Sequence, residues 1–198
     1  MQKAFYGKVL PRLALAVCLV AVVVFVVSPT PKAASPVGEL TAGKVQLQSA
    51  TALAFGPDGI LFVADSLGGN VVALDTNDRT AARGAVKIDV QGVDAKIASL
   101  LGTTPDQIMV NDLAVNPVSK HAYLAVSRGR GPDAVAAIVS VDAAGKVAQL
   151  SLDNIKNSSV SLSDAPKSDA AARQNPRLQT VTDMDFTNGK LFVSGLSS

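Results

Sequence analysis

TALAFGPDGILFVADSLGGNVVALDT, residues 51–76, decides the fold. An apolar run at 52–55 meets Gly56-Pro57-Asp58-Gly59, a second run (ILFVADS, 60–66) follows, and Leu67-Gly68-Gly69 leads into a third (NVVALD, 70–75). Short runs rich in Val, Ile, Leu and Phe, bounded by Gly, Pro and Asp, are strands joined by turns. The arrangement returns twice. Asp112-Leu113-Ala114-Val115-Asn116-Pro117 precedes Ala122-Tyr123-Leu124-Ala125-Val126-Ser127, and Asp183-Met184-Asp185-Phe186-Thr187-Asn188 precedes Leu191-Phe192-Val193-Ser194-Gly195. Such self-similarity marks a repeat architecture. The first unit continues through 85–90 and the second through 134–142 and 146–150, which makes four short strands per complete unit.

Residues 51–76 resemble the first three strands of an NHL- or YVTN-type β-propeller repeat: apolar strand, Pro/Asp-Gly turn, "LFVAD"-like strand, "NVVALD"-like strand. The resemblance covers about half of the chain and speaks to fold, since such folds host enzymes, binders and scaffolds. Neither later unit keeps the Asp58-Gly59 pair, and the second has Val118-Ser119-Lys120 in its place. The expectation is an all-β chain whose propeller blades each have four antiparallel strands, with about two and a half blades present. Blade one spans about 51–90, blade two about 111–151, and blade three begins at about 181–198. Propellers close with about four to eight blades, so the chain reads as the N-terminal piece of a longer protein. The alternative is a small open sheet protein that oligomerises. Residues 44–48 would supply a closing strand.

Ahead of the repeats, residues 13–27 (LALAVCLVAVVVFVV) are uninterrupted apolar positions behind a basic flank of Lys3, Lys8 and Arg12. Ser28-Pro29-Thr30-Pro31 then breaks any helix. Residues 1–34 therefore read as a hydrophobic helix serving as cleaved signal or membrane anchor, followed by a linker at 35–43. A helix of this length covers about 22 Å of the roughly 30 Å hydrocarbon core. Either reading exports the remainder, to the periplasm, the exterior or the outer side of a membrane, with membrane contact only through 13–27 if the segment is retained.

The composition excludes several functions. Eighteen Lys+Arg against sixteen Asp+Glu leaves no basic arm, and with no Trp and two Tyr there is little to stack on a base, so nucleic acid is not a partner. Cys18, the sole cysteine, lies in the apolar run, so the rest of the chain has no disulfide and no thiolate ligand. The sole histidine, His121, sits beside a tight turn, at the end opposite Asp112 and Asp183, and no Ser-His-Asp constellation follows.

In an antiparallel meander, connections alternate between two ends. The tight turns at 56–59, 116–120 and 187–190 share one end; the 67–69 turn, the 127–133 loop and the crossovers at 91–110 and 152–181 share the other. Long loops on a rigid scaffold are where binding sits. There, Arg128 and Arg130 in SRGRGPD are ligand-loop candidates, able to clamp a carboxylate or phosphate. Asp112 and Asp183 open innermost strands, with Asn111 beside the first, and oxygen ligands of this kind suit Ca²⁺ or Mg²⁺. Resemblance to six-bladed lactonases and esterases implies a metal role for Asp112, Asp183 and Asn111; capping of nearby backbone N–H groups is the structural alternative. Asp65 reads as a turn cap. Val93, Ile97, Leu100 and Leu101 predict a short amphipathic helix over 93–101, lying as a lid over the end or plugging a sheet face. Residues 156–169, rich in Ser, Asp and Lys, read as a mobile loop. Three functions stay open: a binding scaffold for a protein or small molecule, a divalent-metal-dependent lactonase or esterase, and a quinone-dependent propeller dehydrogenase.

Overall fold

A computed structural model describes residues 39–169 and 175–198; the expected signal or anchor helix and the first part of the expected linker lie outside the described residues. The described chain is mostly antiparallel β, with eleven strands and one α-helix. In chain order these are β1 (Thr41–Gly43), β2 (Leu53–Phe55), β3 (Ile60–Asp65), β4 (Asn70–Asp75), α1 (Val93–Leu100), β5 (Ile108–Val115), β6 (Ala122–Arg128) and β7 (Val135–Val141). β8 (Val147–Gln149), β9 (Ile155–Ser161), β10 (Asp183–Thr187) and β11 (Lys190–Ser194) complete the set. They form a five-stranded sheet in the order β1-β9-β4-β3-β2, a four-stranded sheet β5-β6-β7-β8 and a hairpin β10-β11. No described helix is long and apolar enough to cross a membrane.

Strand parity explains why ILFVAD and NVVALD are apolar throughout rather than alternating. Ile60, Phe62, Ala64, Val71 and Ala73 face the hairpin, where they meet Met184, Phe186 and Leu191. Leu61, Val63, Val72 and Leu74 face the other way, onto Tyr123, Ala125 and Ile138 of the four-stranded sheet. Strands buried on both faces cannot spare polar positions. The five-stranded sheet is thus the middle layer, and the hairpin packs on it rather than on the second unit that precedes the hairpin in the chain.

Turn chemistry sets the hairpins. Asp58 and Gly59 both adopt positive φ (55° and 72°), as do Asn188 and Gly189 (51° and 75°). Asn-Gly is the chemical equivalent of Asp-Gly in such turns, so the third unit keeps the turn chemistry of Asp58-Gly59 in another residue type. The second unit closes its longer turn with a side chain: Asn116 Oδ1 accepts from Val118 N at 2.8 Å, and Lys120 takes the positive φ of 62°.

Several expectations are corrected. Residues 85–90 form no ladder, so the first unit has no fourth strand of its own; Ile88 and Val90 instead pack beneath α1 on the outer face of the four-stranded sheet. The fourth place in the middle sheet goes to β9, from the stretch expected to be a mobile loop. Its Ser and Asn side chains suit a half-solvated strand, while its backbone pairs with β4 on one side and β1 on the other. The open edge of β4 demands those hydrogen bonds whatever the side chains are. Residues 44–48, expected as a closing strand, form none; Thr41–Gly43, inside the expected linker, is the edge strand instead, and 44–48 run on between the sheets with Val45 N donating to Leu152 O. The predicted helix forms at Val93–Leu100 and acts as a plug, with Ile97 and Ala98 buried against the four-stranded sheet.

Candidate functional site

The long-loop end is built on two rigid turns. In the first, Asp65 is only 2% exposed. Its Oδ1 accepts from Ser49 N (2.8 Å), Ser49 Oγ (3.0 Å) and Gly68 N (3.0 Å), and its Oδ2 from Gln48 N (3.0 Å). The carboxylate caps the turn, as the sequence suggests, and also clamps the 48–49 strap to it. Gly68 leaves no room for a Cβ beside Asp65, and Gly69, at φ 69°, leaves none beside Arg177. The Arg177 guanidinium donates to the carbonyls of Leu67, Gly68, Ala165 and Pro166, joining the turn to the second crossover.

In the second turn, Arg130 donates through Nε and Nη2 to Asp106 O (3.2 and 2.7 Å), Arg128 Nη1 donates to Leu101 O (3.4 Å), and Gly129 N donates to Gln107 O (2.8 Å). The two loop arginines therefore pin the 127–133 loop to the first crossover. Hydrogen bonds from Thr104 and Gln107, with Arg130 nearby, hold the Asp106 carboxyl below the usual range.

Between these turns lies a cleft of about 570 Å³, within the range of small-molecule sites. Leu67, Met109, Pro132, Ala134, Ala136 and Leu178 give it apolar walls, and Gln48, Ser49, Ser127, Ser168 and Asn175 line it with hydroxyl and amide groups, of which the Ser49 hydroxyl is already bonded to Asp65 and Leu67 N. Among the described residues lining it, Arg130 is the one charged side chain.

The metal candidates are placed as follows. A β-bulge between Val110 and Asp112 makes Asn111 the extra residue of β5, and bulges re-aim side chains. Asn111 Nδ2 donates to Ala50 O (2.7 Å) and to Ser127 Oγ (2.9 Å), bracing a cleft-lining residue. Asp112 Oδ2 accepts from Leu53 N (2.7 Å) and Oδ1 from Leu113 N (2.8 Å), stapling β5 to β2. Asp183 Oδ1 accepts from Met184 N (2.8 Å) on β10. Among the described residues, no group of three or more His, Cys, Asp or Glu is positioned to hold a metal ion.

Sequence reasoning missed a polar hub at the tight-turn end. Asp78 Oδ2 accepts from Ser119 Oγ (2.6 Å) and Tyr123 OH (3.1 Å), and lies 2.9 Å from His121 Nδ1. Asn116, fully buried, donates to Asp78 O (2.8 Å). Burial and the Asp78 charge push the Tyr123 phenol up to about 12. These residue types match a nucleophile triad, but Ser119 is 4% exposed and spends its hydroxyl on the carboxylate, so no relay from serine through imidazole forms. The hub instead ties the 76–82 segment to the turn of the second unit. The signal available was DTND after the third strand of the first unit, where Asp78 is an orphan acid beside a tight turn.

Comparisons with protein-family models, with curated proteins and with solved structures return no match for this chain.

Proposed function

We propose that this chain is an exported binding scaffold of β-propeller type whose ligand seat is the long-loop-end cleft. The observation that carries the reading is that cleft, walled by two turns that the Asp65 cap and the Arg130 strut hold in place. Support for a propeller comes from the recurring strand–tight turn–strand unit and from face-to-face stacking of meanders, with first strands β5 and β10 each beside β2. The stacking order, with the third unit beside the first, departs from blades wound in chain order. Export rests on residues 13–27 and their basic flank. A metal-dependent hydrolase draws less from the geometry, because Asp112 and Asp183 both accept from backbone N–H groups.

The test is a thermal-unfolding screen of mixed small organic molecules against the protein and Ala136→Phe, which fills the cleft. Compounds that raise the midpoint of the parent but not of Ala136→Phe support the reading. Compounds whose effect survives the substitution, or a screen without a stabilising compound, contradict it.

A further inference from the structure

Resting on that reading of the cleft, we infer that its ligand is an anionic amphiphile: an apolar body of fatty-acyl size with a single carboxylate or similar acidic head. The walls are aliphatic, with Leu67, Met109, Ala136 and Leu178 contributing apolar surface, and burying such a body is the driving term for binding. A neutral apolar compound would satisfy those walls alone. What sets the head group is charge. Arg130 is the one charged side chain among the described lining residues, and no described carboxylate lines the cleft to neutralise it.

The guanidinium is also pre-positioned. A guanidinium carries five N–H donors, and Arg130 commits Nε and one Nη2 hydrogen to the carbonyl of Asp106. These bonds fix the plane of the group while leaving its Nη1 hydrogens and one on Nη2 for an acceptor, and no salt bridge to a described carboxylate competes for them. A rigid fork that is already oriented loses little freedom on binding an anion. Ser127, braced from behind by Asn111, lines the same cleft and offers a further donor. A cationic head would instead face the Arg130 guanidinium, while the Asp106 carboxylate that interacts with it stands outside the cleft lining, so the arrangement selects by sign as well as by shape.

Isothermal titration calorimetry with decanoate, decanol and decylamine, below their micelle concentrations, tests this. Decanoate binds saturably at one site, decylamine binds at least about tenfold more weakly, and Arg130→Met weakens decanoate by roughly ten- to a hundredfold while leaving decanol unchanged. Ala134→Trp and Ala136→Phe each abolish decanoate binding, and circular dichroism verifies that the variants fold. Equal affinity for decanoate and decylamine, or an Arg130→Met variant that binds decanoate as the parent does, overturns the anion preference while leaving the cleft as a site. Decanoate binding that survives both cleft-filling variants, or no binding by any of the three compounds, overturns the preference and the cleft together.

Discussion

Removing the carboxylate of Asp65 tests the frame that shapes the cleft. Asp65→Ala leaves four donors without an acceptor: the N–H groups of Gln48, Ser49 and Gly68, and the Ser49 hydroxyl. Gln48 is exposed and Gly68 half-buried, so water recovers part of their bonding, whereas Ser49 is buried. An orphaned buried donor costs about 1–3 kcal/mol, and bonds to a charged acceptor are worth about 1.5–3 kcal/mol. Counting the two Ser49 donors in full and discounting the others gives a loss of about 3–4 kcal/mol. Asp65→Asn keeps an oxygen for Ser49 and Gly68 but turns an amide N–H₂ toward Gln48 N, so it loses about 2 kcal/mol. Urea unfolding followed by circular dichroism reads both values, with the slope unchanged if only the native state is affected. A loss under about 1 kcal/mol for Asp65→Ala, or equal losses for the two variants, would refute the reasoning, because the bond inventory predicts a large and graded effect.

Four further outcomes follow from the same structure. The unfolded Tyr123 phenol ionises near its ordinary 10.0 while the folded one keeps its proton to about 12. Stability is therefore intact below the first value and falls as pH rises toward the second, by about 3 kcal/mol; Tyr123→Phe removes that part of the loss in alkaline urea titrations. Gly59→Ala places a Cβ 2.9 Å from Asp78 O at φ 72° and costs about 1–2 kcal/mol or more, whereas Asp58→Gly is neutral or slightly stabilising by the same denaturation assay. Ile97→Ala, at a fully buried position under the helix, costs about 2–4 kcal/mol, while Leu100→Ala, 40% exposed, costs well under half of that. Asp112→Ala loses about 1–3 kcal/mol because Leu53 N loses its acceptor, and millimolar Ca²⁺ leaves the unfolding midpoint of the parent unchanged; a Ca²⁺ stabilisation abolished in both Asp112→Ala and Asp183→Ala would restore the metal reading.

Local chemistry made much of this arrangement legible in advance. The apolar runs of β3, β4, β6 and β7 are long because these central strands are covered on both faces, and the turns between them carry Gly, Pro, Asp and Asn where positive φ or tight reversal requires it. The α1 stripe and the turn-capping role of Asp65 follow from the same kind of short-range pattern. What stayed hidden is long-range. β9 looks like a loop by composition, and only the unsatisfied edge of β4 recruits it. Asn111 and Asp112 bond Ala50 O and Leu53 N, partners 61 and 59 positions away that no local pattern reveals. Arg128 and Arg130 lie at the expected end, but their use as struts depends on where the carbonyls of Leu101 and Asp106 fall. The Asp78 hub joins residues more than forty positions apart, beyond the reach of any local pattern.

Methyl NMR of the isotopically labelled protein titrated with decanoate tests the central claim, that the long-loop-end cleft is the binding site. Binding in the cleft gives saturable shifts concentrated at Leu67, Met109, Ala134, Ala136 and Leu178, with Ile60 and Ala122 beside the tight turns unmoved. Shifts centred on the tight-turn end, or spread without saturation over the exposed faces of β5 and β11, would contradict it.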